Sequence, residues 1–364
     1  VKFRCERDEL VEAVSAAGRA VTSRGSSLPV LSGIRFELTG DTLRLTGSDL
    51  DTTILAEQQV SGEQDGVVVI PAKLIGEIAR SLPAGRVVVA VEGEDAVVTA
   101  GRAEFSMRTI PATEFPRLPE PGEDSVVLPA EAFAEALRQV TVAASTEETR
   151  PILTGVQMSS ENGGLRLVAT DSYRLAVRDL PGTSVLAEDQ SVLVPSSALK
   201  ELGRLLAGAT EVTLTLGERD ATFTVGHDRL TTRLIEGEFP NYRGLIPASQ
   251  PNRLTVNREA LLEAVRRMRL LATDSTPVRL VLKADGLELV AIAQEVGQAH
   301  EELDAKYEGA ELTVAFNPDY LIAGIEVTPG EEITLETTDS MKPALLRSLE
   351  STDFLYLLMP VRVS

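Results

Sequence analysis

Two short segments carry carboxylates and hydroxyls at a spacing that would allow chemistry: TGSDLD, from Thr46 to Asp51, and ATDSYR, from Ala169 to Arg174. They align with each other, Asp49 with Asp171, 122 residues apart. Read as catalytic loops, Asp49, Asp51 and Asp171 would be general acids or cation ligands, with Ser48 or Ser172 as nucleophile. A serine of this kind needs a base, and neither segment supplies one. Where a third such loop would fall, LELVAIA has Ala293 in place of the acid, and no glycine-rich phosphate loop occurs. The simpler reading is a strand running into a tight turn, in which the aspartate accepts backbone hydrogen bonds. The only histidines are His227, read as a hairpin-turn residue, and His300, read as a polar strand position. With Cys5 the single cysteine, the chain has little material for a zinc site, a His-centred triad or an internal disulfide. Neither a metal nor a cofactor is expected.

The elements that position these loops are repeated. ERDELVEAV, with Glu12-Ala13-Val14, recurs as Glu135-Ala136-Leu137 and as Glu263-Ala264-Val265. LPVLSG matches RPILTG, and TPVRLVL follows with Pro277. Pro71, Pro195 and Pro318 each precede an apolar helical pattern, and Phe115, Phe239 and Phe354 make a fourth landmark. The same order at spacings near 125 residues predicts three copies of one unit, 1–122, 123–249 and 250–364, separated by the polar, proline-containing seams LPEPGED and IPASQPN. Each copy predicts two helices. The first carries Leu10, Val11, Val14 and Ala17, or Phe133, Leu137 and Val140, or Leu261, Leu262, Val265 and Met268. The second carries Leu74, Ile75 and Ile78, or Leu199, Leu202, Leu205 and Leu206, or Leu321, Ile322 and Ile325. Most of the rest alternates in the manner of strands, as in TLRLTG, LRLVAT and VTLTLG. The expected class is α+β, each copy having two helices and about eight short strands in antiparallel sheets.

A chain of 364 residues with 43% hydrophobic and 25% charged residues has ordinary globular composition. No apolar run approaches the roughly 18 residues that span a bilayer, and the expected location is cytoplasmic, with no membrane partner. Lys and Arg total 35 against 55 Asp and Glu, a net charge of −20 that on average repels nucleic acid. The average leaves room for a local basic face. The predicted helix from Arg258 to Leu270 carries four arginines against two glutamates, and the other helices and their approaches add Arg19, Arg24, Lys73, Arg80, Arg138, Lys200 and Arg204. Solvated helix faces explain the same distribution. The carboxyl end, LYLLMPVRVS, reads as a buried strand stopped by Pro360, and becomes a site only where other apolar residues converge on it. From the residues alone, a hydrolase working through the Asp loops on a phosphate or sugar, and a repeat scaffold that binds no DNA, both stand as alternatives.

The ordered set LPVLSG, TGSDLD, RPILTG, ATDSYRLAV, FPNYR and YLLMPVR, spread over all three copies, resembles the bacterial DNA polymerase III beta subunit, the sliding clamp. The resemblance implies a DNA-clamp fold of three repeated domains. Two protomers would join head to tail into a closed six-domain ring, with helices lining the hole and sheets forming the outer wall. It implies a non-catalytic processivity subunit that encircles double-stranded DNA and tethers the polymerase III alpha subunit. The clamp loader complex, other polymerases and repair proteins would be further partners, bound through short linear motifs, with the protein on the nucleoid during replication. The DNA-facing residues would be Arg24, Lys73, Arg80, Arg138, Arg150, Lys200, Arg204, Arg266, Arg267 and Arg269. Carried over by motif, the partner-peptide pocket would take Leu153, Thr170, Ser172, Tyr173, Arg174, Leu175, Pro240 and Leu245, with Asn317, Tyr320, Met341, Leu357, Met359, Pro360, Val361 and Arg362. Three departures bear on which peptide fits: TDSYR where relatives often have TDGHR, Gly244 where some have arginine, and the ending VRVS rather than MRL. A charged residue at Met359 or Leu175 is expected to abolish partner-peptide binding, read by titration, and to leave the ring intact.

Overall fold

The helical spacings appear as six α-helices in the computed structural model, which describes residues 1–21, 28–116, 122, 125–183, 185–187, 190–271 and 276–362. They are α1 (Arg7–Gly18), α2 (Ala72–Ser81), α3 (Ala130–Thr141), α4 (Ser196–Leu205), α5 (Arg258–Met268) and α6 (Pro318–Val327). Their starts have local causes. Asn257 caps α5 by accepting from the Ala260 N–H at 2.9 Å, and Asn317 caps α6, where Pro318 occupies the first helical position and forgoes an N–H that would have no partner. Pro71 and Pro195 end strands, and α2 and α4 begin at the next residue.

Most of the apolar stripe residues are buried as the spacing predicts, while Val11, Leu205 and Ile322 are half-buried. Leu74 is exposed, because the stripe of α2 runs through Ile75, Ile78 and Ala79, and Leu74 lies to one side of it.

Among the described residues the other elements are 26 strands and four short 3-10 turns, and every strand pairing is antiparallel. The chain divides into two compact units that cut across the sequence repeat: 1–131 with 201–234, and 132–200 with 235–364.

The first unit holds a five-stranded sheet with the strand at Lys2–Glu6 near one edge and Ala103–Arg108 at the other, and an eight-stranded sheet. In the larger sheet, Asp228–Arg233 pairs with Thr52–Gln59, Thr232 opposite Thr52. Hence strands from the first and second copies share one ladder. The second unit repeats the device. Its nine-stranded sheet joins Arg174–Leu180 to Phe354–Leu358, Arg174 opposite Leu358, and so links the second and third copies. A four-stranded sheet with Gly297–Leu303 at one edge completes it. Sharing a ladder satisfies backbone groups that would otherwise form exposed edges.

In the first unit α1 packs on α2 and across Thr42–Ser48 and Thr52–Gln59. The approach is close enough that a Cβ on Gly47 would lie 2.0 Å from the carbonyl oxygen of Ala17. Backbone has no rotamer with which to yield. Gly47→Ala is therefore expected to destabilise the first unit by about 2 kcal/mol or more, seen as a lowered denaturation midpoint.

Candidate functional site

The ATDSYR segment forms the turn between strands Gly164–Thr170 and Arg174–Leu180, and its polar atoms are spent on the backbone. Asp171 Oδ1 accepts from the N–H groups of Tyr173 (2.9 Å) and Arg174 (3.0 Å), and Asp171 Oδ2 accepts from Arg174 Nε at 2.9 Å. Thr170 Oγ1 donates to the Arg174 carbonyl at 2.7 Å. Ser172 takes φ +81°, a left-handed conformation that a side chain enters at a cost, and it swings Tyr173 outward. The first-copy turn is built alike. Asp49 Oδ1 accepts from the N–H groups of Asp51 (3.0 Å) and Thr52 (2.7 Å), and Leu50 has φ +80°. Ser48 Oγ lies 2.8 Å from Thr53 Oγ1 and meets no base. His227 and His300 lie beside Glu57 and Glu288, away from either serine's hydrogen bonds. These loops are structural turns.

The carboxyl-terminal strand brings the tail to the second turn. Beyond Leu358 the Met359 N–H donates to the Tyr173 carbonyl at 2.9 Å, and two residues on the Val361 N–H donates to the Ala315 carbonyl at 2.7 Å. The strand Leu312–Phe316, which contains Ala315, leads into Asn317 and α6.

Tyr320, on the first turn of α6, is where the side chains converge. The Arg174 guanidinium lies 4.3 Å over its ring, and the Tyr173 ring stacks beside it at 6.3 Å and 28°. The fully buried Tyr356 donates its hydroxyl to the Tyr320 carbonyl at 2.8 Å. Burial pushes the hydroxyls of Tyr320 and Tyr356 up, so both stay neutral donors. Burial works against the charge of Arg174, but Tyr356 and Asp171 outweigh it and hold the guanidinium above its ordinary value.

The floor is apolar. Leu175 and Leu357, opposite each other in the ladder and 1% and 2% exposed, cluster with Val168, Val177, Tyr242 and Leu345. Phe239, from the FPNYR segment, and Ile246, just after it, pack against this cluster, with Phe239 edge-on to Tyr242 at 6.3 Å. That segment is pinned by Arg243, which donates to both oxygens of Glu161 at 3.0 and 2.6 Å. Tyr173 and Met359 meet where the turn and the tail join, and Tyr173, Leu245, Met341, Met359 and Val361 are all exposed large apolar side chains. Among the described residues no group of His, Cys, Asp and Glu is placed to hold a metal, and no helix is long and apolar enough to cross a membrane.

The sequence compares with known proteins over its whole length. Family models for the DNA polymerase III beta subunit match at residues 1–119 (N-terminal domain), 127–241 (central domain) and 243–362 (C-terminal domain). The chain is 35% identical over 381 residues to the beta sliding clamp of Streptomyces coelicolor and 33% identical over 383 residues to that of Bacillus subtilis, with 100% of both chains covered in each case. The chain belongs to the DNA polymerase III beta subunit family, the beta sliding clamps. Its fold agrees. A Bartonella birtlesii sliding clamp, solved bound to griselimycin, superposes with a TM-score of 0.93 at 30% identity, covering 100% of this chain and 99% of that one. The Bacillus subtilis clamp gives 0.90 at 33%, with the same coverage.

Within this sliding-clamp chain, Thr170, Ser172, Tyr173, Arg174, Leu175, Asn317, Tyr320, Leu357, Met359, Pro360 and Val361 come together through the turn, the shared ladder and the tail. Pro240 lies in the chain between Phe239 and Tyr242, Leu245 on the 3-10 turn Arg243–Leu245 that follows, and Arg362 is exposed at the end of the described tail. Leu153 is buried on the 3-10 turn Pro151–Thr154, its carbonyl accepting from the Ser145 N–H at 2.8 Å, and Met341 lies on a turn where its N–H donates to Asp339 Oδ1 at 2.8 Å. Sequence reasoning passed over Phe239, Tyr242 and Tyr356. Their signal was present in FPNYR and in the alternation of FLYLL, but only the folded chain shows which ring is on the floor.

The basic candidates divide in two. Arg24 lies outside the described residues. Arg138 pairs with Glu135, Arg150 with Glu147, Arg204 with Glu201, Arg266 with Glu263 and Glu326, Arg267 with Glu301, and Arg269 with Asp319. Lys73, Arg80 and Lys200 are exposed and, among the described residues, are in no ion pair.

The burial of Leu175 corrects one expectation. A charge there enters the core of the nine-stranded sheet, and Leu175→Glu is expected to unfold this region at a cost of several kcal/mol. Met359, 37% exposed, accepts a charge without that cost, so Met359→Glu is expected to keep the denaturation midpoint and alter the surface alone. The hydrogen bond from Arg243 holds the Glu161 carboxyl below its ordinary value of 4.5, helped by the charge of Arg166. A depressed carboxylate contributes stability that is present above its unfolded value and lost as pH falls through the lower folded one. Arg243→Gln is therefore expected to lower the melting temperature at neutral pH, with the gap from the parent closing as the pH is taken well below 4.5.

Proposed function

We propose that two copies of this chain join head to tail into a closed six-domain ring, with domains at 1–122, 123–249 and 250–364 in each, that encircles duplex DNA without reading its sequence. The observation that carries this reading is the full-length match to sliding clamps, a family of non-catalytic processivity factors of DNA polymerase III. Two free sheet edges support the closure. Ala103–Arg108 ends the five-stranded sheet and Gly297–Leu303 ends the four-stranded one. Phe105, on the first edge, is 37% exposed, and Val296, beside the second, is 75% exposed. An edge with exposed apolar side chains is a template for a second chain. A head-to-tail contact of this kind closes when the rotation per copy is half a turn.

Topology then does the work that affinity would do elsewhere. A closed ring stays on DNA without tight phosphate contacts, and weak contacts permit sliding. A tethered polymerase re-encounters its primer end at high effective concentration, which raises processivity without altering its active site. The polymerase alpha subunit, the clamp loader, other polymerases and repair proteins would dock short linear motifs in the trough around Tyr173, Tyr320 and Met359, with leucine or phenylalanine anchors against the Leu175–Leu357 floor. The protein would act on the nucleoid.

Small-angle scattering is expected to give a mass near twice 39.0 kDa and a hollow pair-distance profile. Phe105→Arg is expected to return the mass to 39.0 kDa. A parent chain that stays monomeric at high concentration refutes the ring. Retention on closed circular but not linear DNA tests encirclement, and loss of motif-peptide binding in Met359→Glu, with dimer mass unchanged, tests the trough.

A further inference from the structure

Strands Gly155–Glu161 and Gly164–Thr170 are joined by two residues, Asn162 and Gly163, at φ +50° and +72°. Positive φ at both positions makes a type I′ turn, closed by the pair of Glu161 opposite Gly164. Both turn residues are exposed, and a Cβ on Gly163 would meet nothing within 4 Å. Of the five asparagines in the sequence, Asn162 alone precedes a glycine. The side-chain oxygens of Asn252, Asn257 and Asn317 accept from backbone N–H groups at 3.1, 2.9 and 2.9 Å, and Asn241 is followed by the bulky Tyr242. The Asn162 amide has no such partner among the described residues. In a two-residue turn the N–H of the second residue points away from the ladder, so the Gly163 nitrogen is not spent on the sheet.

A change in this turn has a route into the molecule. Glu161 accepts from Arg243 at 3.0 and 2.6 Å, with Arg166 at 3.3 Å. The Arg243 guanidinium lies 5.6 Å over the ring of Tyr242, which belongs to the apolar floor with Leu175 and Leu357. The other strand has no slack. A Cβ on Gly164 would lie 2.6 Å from the Leu180 carbonyl oxygen and 3.1 Å from Pro181 Cα, so that backbone is already in contact. A longer turn is therefore taken up on the Glu161 side.

We propose that Asn162–Gly163 is a site of spontaneous deamidation, and that the isoaspartate formed there loosens the hold of Glu161 on Arg243 and so weakens the peptide trough. The effect on the trough rests on the reading that short motifs dock there; the chemistry of the turn does not. The Gly163 nitrogen, giving up its proton, attacks the side-chain carbonyl carbon of Asn162. A bond forms between that nitrogen and that carbon, the bond to the side-chain amide nitrogen breaks, and ammonia leaves with the proton, closing a cyclic imide. Water then opens the ring at one of its two carbonyl carbons. One opening leaves aspartate, and the other routes the main chain through the side chain of residue 162, adding a carbon to the backbone. Water is the sole co-reactant, and nothing is oxidised or reduced. A two-residue turn with an extra backbone atom no longer sets Glu161 opposite Gly164, and the Glu161 carboxylate is drawn off Arg243.

The full-length chain is aged in mildly alkaline buffer beside a portion kept cold and slightly acidic. Each is read by mass spectrometry of the peptide containing residues 155–170, by methyl transfer from S-adenosylmethionine with an isoaspartate-specific methyltransferase, and by titration with a labelled peptide carrying leucine and phenylalanine anchors. Ageing is expected to convert Asn162, to raise methyl acceptance and to lower peptide affinity about fivefold. Asn162→Gly keeps a sequence suited to a type I′ turn and removes the amide, and is expected to show none of these changes. Fresh Asn162→Asp adds the charge without the extra backbone atom, and is expected to bind the peptide as the fresh parent does. An aged parent with Asn162 intact overturns the site. Conversion with unchanged peptide affinity, or an equal loss in fresh Asn162→Asp, overturns the coupling through the turn backbone. A fresh parent that binds no such peptide overturns the docking reading and the coupling with it, and the mass and methyl-transfer readings still decide the site.

Discussion

The antiparallel ladder between Arg174–Leu180 and Phe354–Leu358 is the constraint on which the rest of the second unit depends. It places Leu175 against Leu357 and so closes the apolar floor. It also fixes where the chain leaves the sheet, which is why Met359 reaches the Tyr173 carbonyl and Val361 reaches Ala315. Side chains alternate along a strand, so a shift of one residue would set Tyr356 or Leu358 opposite Leu175 and move Leu357 to the face that Phe354, Tyr356 and Leu358 now fill. The trough is thus a consequence of register. Neither the turn nor the tail forms it alone.

The same device in the first unit produces a different interior. There Thr52 stands opposite Thr232, and Thr222 lies 3.0 Å from Thr231, hydroxyl to hydroxyl. Equivalent ladders therefore carry an apolar floor in one place and a threonine-lined one in the other. A repeat conserves the backbone solution to edge pairing and leaves the side chains free, and only one of the two turns presents tyrosine and arginine at the end of an apolar ladder.

Electrostatics follows a similar division between local and long-range causes. An excess of 20 negative charges is compatible with holding DNA when, among the described residues, most of the arginines are paired with a carboxylate in place. Glu135 with Arg138, Glu201 with Arg204 and Glu263 with Arg266 repeat one spacing on three helices, and each pair presents a guanidinium with its charge largely answered. For a protein that must slide, a polar surface with few uncompensated cations is better suited than a strongly basic one, since each close ion pair with phosphate adds to the barrier between one position and the next.

Much of this was present in the amino-acid order, because its causes lie within a few residues. The threefold repeat, both helices of each copy, the proline starts and the use of Asp49 and Asp171 as turn acceptors all rest on local spacing and local hydrogen bonds. The glutamate three residues before each arginine was equally legible, though a count of charges passes over it. Tertiary structure decided what depends on residues far apart in the chain. It joined strands of neighbouring copies, exposed Leu74 while burying Ile75, set Arg266 against Glu326 and Arg267 against Glu301, and brought Arg174 over Tyr320. Local propensity fixes dihedral angles and periodicity, whereas a contact between residues separated by more than a hundred positions depends on which ladders and faces pair in the folded chain, and no short stretch of sequence contains that choice.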